Sequence, residues 1–215
     1  NHFKKIIGFE PSTKCVEALE LLKKELNNFI YYKCFLGNKN KTVISDQYGD
    51  GWAFVQENTT EIKSSELQMA NDREEKKINQ EKIPMKTIDE IISNNHDSEK
   101  ISAIKIDVDG IDIEVLIGGL VEIKKNRPSI MIENNSKELL SLMREINYKV
   151  FTFTSTIDKP YNLCLKEITS DDSKFWQTNS VCVPIEYVPK DLPTKEIKGN
   201  ILFGINRKFI LNNFS

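Results

Sequence analysis

Three β-type runs in this chain end on acids. Ile104-Lys105-Ile106 stops at Asp107-Val108-Asp109-Gly110, Ser129-Ile130-Met131-Ile132 stops at Glu133, and Ile6-Ile7-Gly8-Phe9 stops at Glu10. In open α/β sheets, ligands sit in the crevice outside the carboxyl ends of the strands. An ionised carboxylate there offers several acceptor sites and no donor, and it can also take a proton as a general base. Asp107 and Asp109 flank Val108, so in extended backbone they share a face. Such a pair could meet an amino group or a substrate hydroxyl, or hold a divalent metal as a DxD. Asp109 could instead simply cap the next helix. Glu133 suits a general base or hydrogen-bond acceptor, and equally an ordinary acid beside a helix N-terminus. Glu10 suits a ribose-diol acceptor, as at the second strand end of nucleoside-binding folds, or a carboxylate bonded to nearby backbone amides.

The elements that would position these acids can be read from periodicity. After Glu10, Pro11 makes a turn and Ser12 is placed to cap a helix whose Cys15, Val16, Leu19, Leu22 and Leu26 recur at helical spacing. Phe29 to Leu36 reads as a strand closed by Gly37-Asn38, completing a parallel crossover unit. From Lys39 to about Lys82 the pattern weakens. Thr42–Ser45 and Trp52–Val55 suggest a short antiparallel excursion around Gly49-Asp50-Gly51, and the charged stretch Glu66–Lys82 reads as a solvated loop. Thr87-Ile88-Asp89-Glu90 is a capping box that opens a short helix. Ile101–Ile106 and Ser129–Glu133 read as strands. Between them, one helix carries Ile113, Leu116, Ile117, Leu120 and Ile123, with Gly118-Gly119 inside it and Arg127-Pro128 stopping it. Ser136 should cap a helix with Leu139, Leu140, Met143 and Ile146, followed by strands at Tyr148–Phe153 and Ser180–Val183. Alternating strands and helices imply an α/β, three-layer, doubly wound domain with a mostly parallel sheet. Ile6–Glu10, Ile101–Asp107 and Ser129–Glu133 are expected to be parallel strands of one sheet.

The 215 residues suit one domain, with 39% hydrophobic and 29% charged residues, an ordinary globular composition. A formal net charge of -2 lacks the basic footprint of a nucleic-acid binder. No apolar run approaches the roughly 20 residues of a membrane span, and no signal peptide opens the chain. Cys15, Cys34, Cys164 and Cys182 are far apart with no CxxC, as expected of reduced packing residues in a cytoplasmic protein. His96, among Asn95, Asp97 and Ser98, reads as a surface histidine; Trp52 and Trp176 read as packing residues. No Gly-x-Ser-x-Gly elbow, HExxH or P-loop lysine motif occurs. The chain opens on Asn1-His2-Phe3 without an initiator methionine and runs at once into a strand. A preceding segment that was removed or never included is therefore expected.

An ordered set of pieces resembles one family. Phe9-Glu10-Pro11, Leu36-Gly37, Lys86-Thr87-Ile88-Asp89, Lys105-Ile106-Asp107-Val108-Asp109-Gly110 with Glu114-Val115-Leu116 and Gly118-Gly119, Arg127-Pro128 and Ile132-Glu133 follow the order and spacing of the FkbM-type methyltransferases. Asn147-Tyr148 stands where that family usually has Gly-Tyr. The likeness covers about residues 6 to 154, with an echo at Asn179 to Pro184. It implies an S-adenosylmethionine-dependent transferase with the Rossmann-like methyltransferase fold. By resemblance, Glu10 with Pro11 would bind the cofactor ribose, Leu36-Gly37 would lie near the adenine, and Asp107 would face the methionine part. Asp109 and Glu133 are the candidate bases, and no metal is required. The chain departs from the family before Phe9, where a strand and an Asp-x-Gly-Ala-Asn-x-Gly turn would stand.

The implied reaction is O-methylation of a small-molecule acceptor such as a sugar; the sequence leaves a homo-oligomer open. A nucleotide-sugar glycosyltransferase using Asp107-Val108-Asp109 as a metal-holding DxD is the second enzyme reading. A non-catalytic α/β scaffold that has lost cofactor binding is the third.

Overall fold

The computed structural model describes residues 3–48, 51, 53–56, 77–96, 100–108, 110–156, 159–167 and 180–188. His2, Trp52, Asp109, Trp176 and the 66–76 part of the charged stretch lie outside the described residues. The chain divides into two compact units, Phe3–His96 with Asp109–Gly119, and Asp97–Val108 with Leu120–Ser215.

In the first unit, β1 (Ile6–Phe9) and β2 (Phe29–Tyr32) pair in parallel, from Ile6↔Phe29 to Phe9↔Tyr32, across helix α1 (Val16–Glu25). This is the expected crossover unit. Ser12 does not cap the helix: a 3-10 turn at Thr13–Cys15 intervenes, and its buried hydroxyl has no hydrogen-bond partner among the described residues. The strand expected over Phe29–Leu36 is broken at Lys33-Cys34, where Cys34 N–H donates to Tyr32 O at 3.1 Å. The bend lets one segment serve two ladders, since β3 (Phe35–Leu36) joins β6 (Lys77–Lys86) in parallel.

That second ladder has the order β3-β6-β4-β5, with β4 (Lys41–Tyr48) antiparallel to both β5 (Ala53–Gln56) and β6. The antiparallel excursion is therefore present. The solvated reading of Lys77–Lys82 is corrected, because these residues are strand. Charge masked a period-2 pattern in which Ile83 and Met85 are buried while Lys82 and Pro84 are exposed. Phe35, Val43, Ile83 and Met85 form the cluster beneath this sheet.

Helix α2 (Ile88–Asn95) starts where the capping box predicts, with Glu90 N–H donating to Thr87 Oγ1 at 3.1 Å. The reciprocal half is different. Thr87 N–H goes to Asn40 Oδ1 at 3.0 Å, and the Glu90 carboxylate is left for other partners. The single helix expected over Ile113–Ile123 is also corrected. It is two short helices, α3 (Asp112–Ile117) and α4 (Leu120–Asn126), parted at Gly118-Gly119. Gly118 O accepts from Asp89 N–H at 3.0 Å, and a Cβ added at Gly118 would stand 2.0 Å from Gly37 O.

The second unit holds a five-stranded sheet of order β10-β9-β11-β8-β7. Its strands are β7 (Ala103–Ile106), β8 (Ser129–Ile132), β9 (Tyr148–Thr156), β10 (Lys159–Glu167) and β11 (Ser180–Pro184). β7 and β8 are parallel, as expected, but β11 runs antiparallel to both β8 and β9, and β9 antiparallel to β10. One mostly parallel sheet containing Ile6–Glu10 is thus not what forms. β1 ladders with β2, and the β7–β8 pair sits in a mixed sheet. Two residues separate β9 from β10 in the chain, far fewer than the dozen or more that a parallel crossover needs. Ser136 caps α5 (Lys137–Glu145) by accepting from Leu139 N–H at 3.2 Å. Ile130, Ile132, Leu139, Met143 and Cys182 are buried in this unit.

Arg127 ties the end of α4 to the start of β9. It sits at φ 55°, a left-handed alternative to the α region that Pro128 denies it. Its guanidinium bonds Glu186 at 2.7 and 2.9 Å, Ile146 O at 2.7 Å and Asn147 O at 3.0 Å, and lies 4.5 Å over the Tyr148 ring. Asn147 is itself left-handed at φ 59°, a conformation asparagine tolerates. Arg127→Met should cost about 1–3 kcal/mol in urea denaturation, mainly from the Ile146 carbonyl losing the guanidinium donor while Asn147 O keeps Ile185 N–H at 3.0 Å, since the exposed ion pair alone is worth about 0–1 kcal/mol. Arg127→Lys should recover only part, because an ammonium lacks the guanidinium fork. A loss below about 0.5 kcal/mol for Arg127→Met would contradict the role given to the carbonyl bonds.

Candidate functional site

Glu10 follows β1, and its N–H continues the ladder to Tyr32 O at 3.1 Å. Its half-buried carboxylate accepts from Ser12 N–H at 2.8 Å. Burial pushes the carboxyl above its ordinary range, and the Ser12 amide works against that shift. The backbone-bonded alternative for Glu10 is therefore present, yet one amide leaves the carboxylate with acceptor capacity. Pro11 beside it is half-buried. Leu36 is half-buried and Gly37 buried, with Gly37 N–H on Lys86 O at 3.0 Å. A Cβ added at Gly37 would meet Met85 Sδ at 2.6 Å, so this turn is closely packed on the side a side chain would occupy.

The second unit brings two candidate acids together. Because Ile106 pairs with Ile132 in parallel register, residues 107 and 133 leave the sheet side by side, with Glu133 N–H on Ile106 O at 3.2 Å. The Asp107 carboxylate is bonded to the Lys105 ammonium at 2.5 Å and to the Glu133 side chain. Lys105 above all, and then Glu133, hold the Asp107 carboxyl below its ordinary range.

Besides Lys105, Asp107 meets Glu133 across the ladder, a pairing that follows from register rather than local spacing. Asp107 is also half exposed. Its depressed pKa contributes stability above the ordinary carboxylate range, lost as pH falls through the lowered value. The exposure of both partners keeps this contribution small. Lys105, not singled out from the sequence, was detectable there as a residue two positions before Asp107 and hence on the same strand face.

His96 overturns its surface reading. It is buried, ends α2, and has Nδ1 3.0 Å from Lys5 Nζ and Nε2 3.1 Å from Tyr32 Oη. An ammonium only donates, so Nδ1 accepts and the ring proton sits on Nε2, donating to Tyr32. Its polar neighbours in sequence gave no sign of partners 91 and 64 residues away. Burial pushes the Cys34 and Cys182 thiols up to about 11 and about 12, as suits packing residues. Among the described residues no three His, Cys, Asp or Glu side chains converge to hold a metal, and no helix is long and apolar enough to cross a membrane.

Residues 3–150 match the family model of the methyltransferase FkbM domain. The chain belongs to the FkbM methyltransferase family. A solved structure of methyltransferase FkbM from Methylobacillus flagellatus KT is similar at 14% identity and a TM-score of 0.47, over 84% of this chain and 36% of that one. This chain thus spans about a third of the length of that FkbM protein. No curated protein matches the chain. Glu10, Pro11, Leu36, Gly37, Asp107, Asp109 and Glu133 all fall inside the FkbM match.

Proposed function

We propose that this FkbM domain transfers a methyl group from S-adenosylmethionine to a hydroxyl of a small acceptor, with a sugar as the preferred class. The observation that carries the reading is the register-matched pair Asp107 and Glu133 at parallel strand ends within the family match. The cofactor's sulfonium makes its methyl carbon an electrophile. What remains for the protein is to align the acceptor oxygen in line and to remove its proton as the C–O bond forms and the C–S bond breaks.

Each unit offers residues whose chemistry suits part of such a group. Glu10 has acceptor capacity beyond the Ser12 amide and would take the two ribose hydroxyls, with Pro11 shaping the turn. Leu36 and Gly37 would border the adenine. Asp107 would accept from the amino group of the methionine part, in exchange for Lys105. Glu133 would receive the acceptor's proton, with Asp109 the second candidate for that role. A carboxylate acts as a base only when ionised, so turnover is expected to fall at acid pH as Glu133 is protonated.

Calorimetric titration with S-adenosylhomocysteine tests the cofactor assignment. Glu10→Ala should weaken binding by about 1–3 kcal/mol, the loss of a charge-assisted acceptor. In the unsubstituted protein, affinity should fall as pH is lowered through the raised pKa of Glu10, because a protonated acid loses acceptor strength. Unchanged affinity in the Glu10 variant, with its fold intact by circular dichroism, would remove Glu10 from the cofactor site.

A further inference from the structure

Asp107 directly follows β7, and Lys105 stands two residues before it, on the same side of the strand. Their side chains bond at 2.5 Å. The parallel register sets Met131 beside Lys105 and brings Glu133 out beside Asp107. Both charged side chains are open to solvent, Lys105 at 60% and Asp107 at 50% of their area, and Met131 is exposed as well. The ion pairs Lys33–Glu81 and Lys149–Glu167 are only about a third exposed. A pair as open as Lys105–Asp107 adds little to the fold, so separating its partners costs little.

Charge balance gives Lys105 a task. The methionine part of S-adenosylmethionine carries an ammonium and a carboxylate on one carbon. When Asp107 takes the ligand's ammonium, the Lys105 ammonium is left beside a second positive charge, and like charges at that range repel. The ligand's own carboxylate offers the lysine a new partner at the same place. Lys105 has three donors and no acceptor, whereas ionised Asp107 only accepts, so together they match both charges of an amino-acid group. The flexible four-carbon stem lets the ammonium move from Asp107 to a carboxylate held next to it.

We propose that Lys105 is a cofactor-binding residue that takes the carboxylate of the methionine part while Asp107 takes its amino group. The four charges then alternate in sign. This assignment rests on the cofactor reading of Asp107 given above.

Calorimetric titration of the unsubstituted protein, Lys105→Met and Lys105→Arg tests it, with S-adenosylhomocysteine and its decarboxylated analogue, which keeps the amino group. The unsubstituted protein should prefer S-adenosylhomocysteine at least fivefold. Lys105→Met should bring the two ligands within twofold of each other. Lys105→Arg should keep the preference, because a guanidinium also donates to a carboxylate. Comparing two ligands on one variant isolates the carboxylate, whatever the substitution does to Asp107 or to the fold. An undiminished preference in Lys105→Met overturns the proposal. So does tighter S-adenosylhomocysteine binding by that variant, because Lys105 would then only compete for Asp107. In either case, weaker binding by Glu10→Ala shows that the cofactor reading still stands. If the unsubstituted protein binds neither ligand, the cofactor reading fails and the role of Lys105 falls with it.

Discussion

Gly118→Ala is expected to destabilise the first unit by about 3 kcal/mol or more, at the upper end of what overpacking costs. The added Cβ would stand 2.0 Å from Gly37 O and 3.0 Å from Gly37 C. Those are backbone atoms, held by Gly37 N–H on Lys86 O and, on the α3 side, by Gly118 O on Asp89 N–H. Neither segment can yield by turning a side chain, so ladder or helix must move. Two neighbouring glycines act as internal controls. A Cβ at Gly119 meets only Ile88 side-chain atoms at 3.1–3.4 Å, and one at Gly37 meets chiefly the flexible Met85 thioether. Gly119→Ala should cost about 1 kcal/mol or less, and Gly37→Ala should fall between the two. Urea midpoints of the three variants give the order directly. A Gly118→Ala protein as stable as Gly119→Ala would show that the two loops are not in backbone contact.

Glu133→Gln should lower kcat by about two to four orders of magnitude, the usual worth of general acid–base catalysis, with the S-adenosylhomocysteine dissociation constant nearly unchanged. The substitution separates the two functions that meet at this strand end. A glutamine amide can still donate to the Asp107 carboxylate, so the geometry next to Lys105 is kept. It cannot take a proton. The pH dependence should follow: the loss of rate at acid pH that a carboxylate base imposes should disappear in whatever activity remains. Asp109→Asn is the companion variant. If it abolishes turnover while Glu133→Gln leaves it intact, the base is Asp109. Parallel losses in kcat and in cofactor affinity for Glu133→Gln would mean that Glu133 binds rather than reacts.

Much of this protein follows from local chemistry. The helix starts at Thr87 and Ser136, the stop at Arg127-Pro128, the β1–α1–β2 crossover and the parallel β7–β8 pair are all written in short-range patterns. Caps, proline stops and hydrophobic periods act within a few residues, so a one-dimensional reading reaches them. The ordered FkbM pieces are legible for the same reason, and the family match over residues 3–150 agrees with them.

What tertiary structure decided lies where residues distant in sequence compete for the same partner. Asn40 took the Thr87 amide and left Glu90 to the Lys86 ammonium. Lys5 and Tyr32 made a buried histidine of a residue set in a polar, loop-like stretch. Gly37 needed a glycine at 118, which parted one apolar stripe into two helices. The β7–β8 register, rather than the Asp-Val-Asp spacing, brought Asp107 to Glu133. Residue types along the chain set which groups need partners, and only the folded geometry determines which partners arrive.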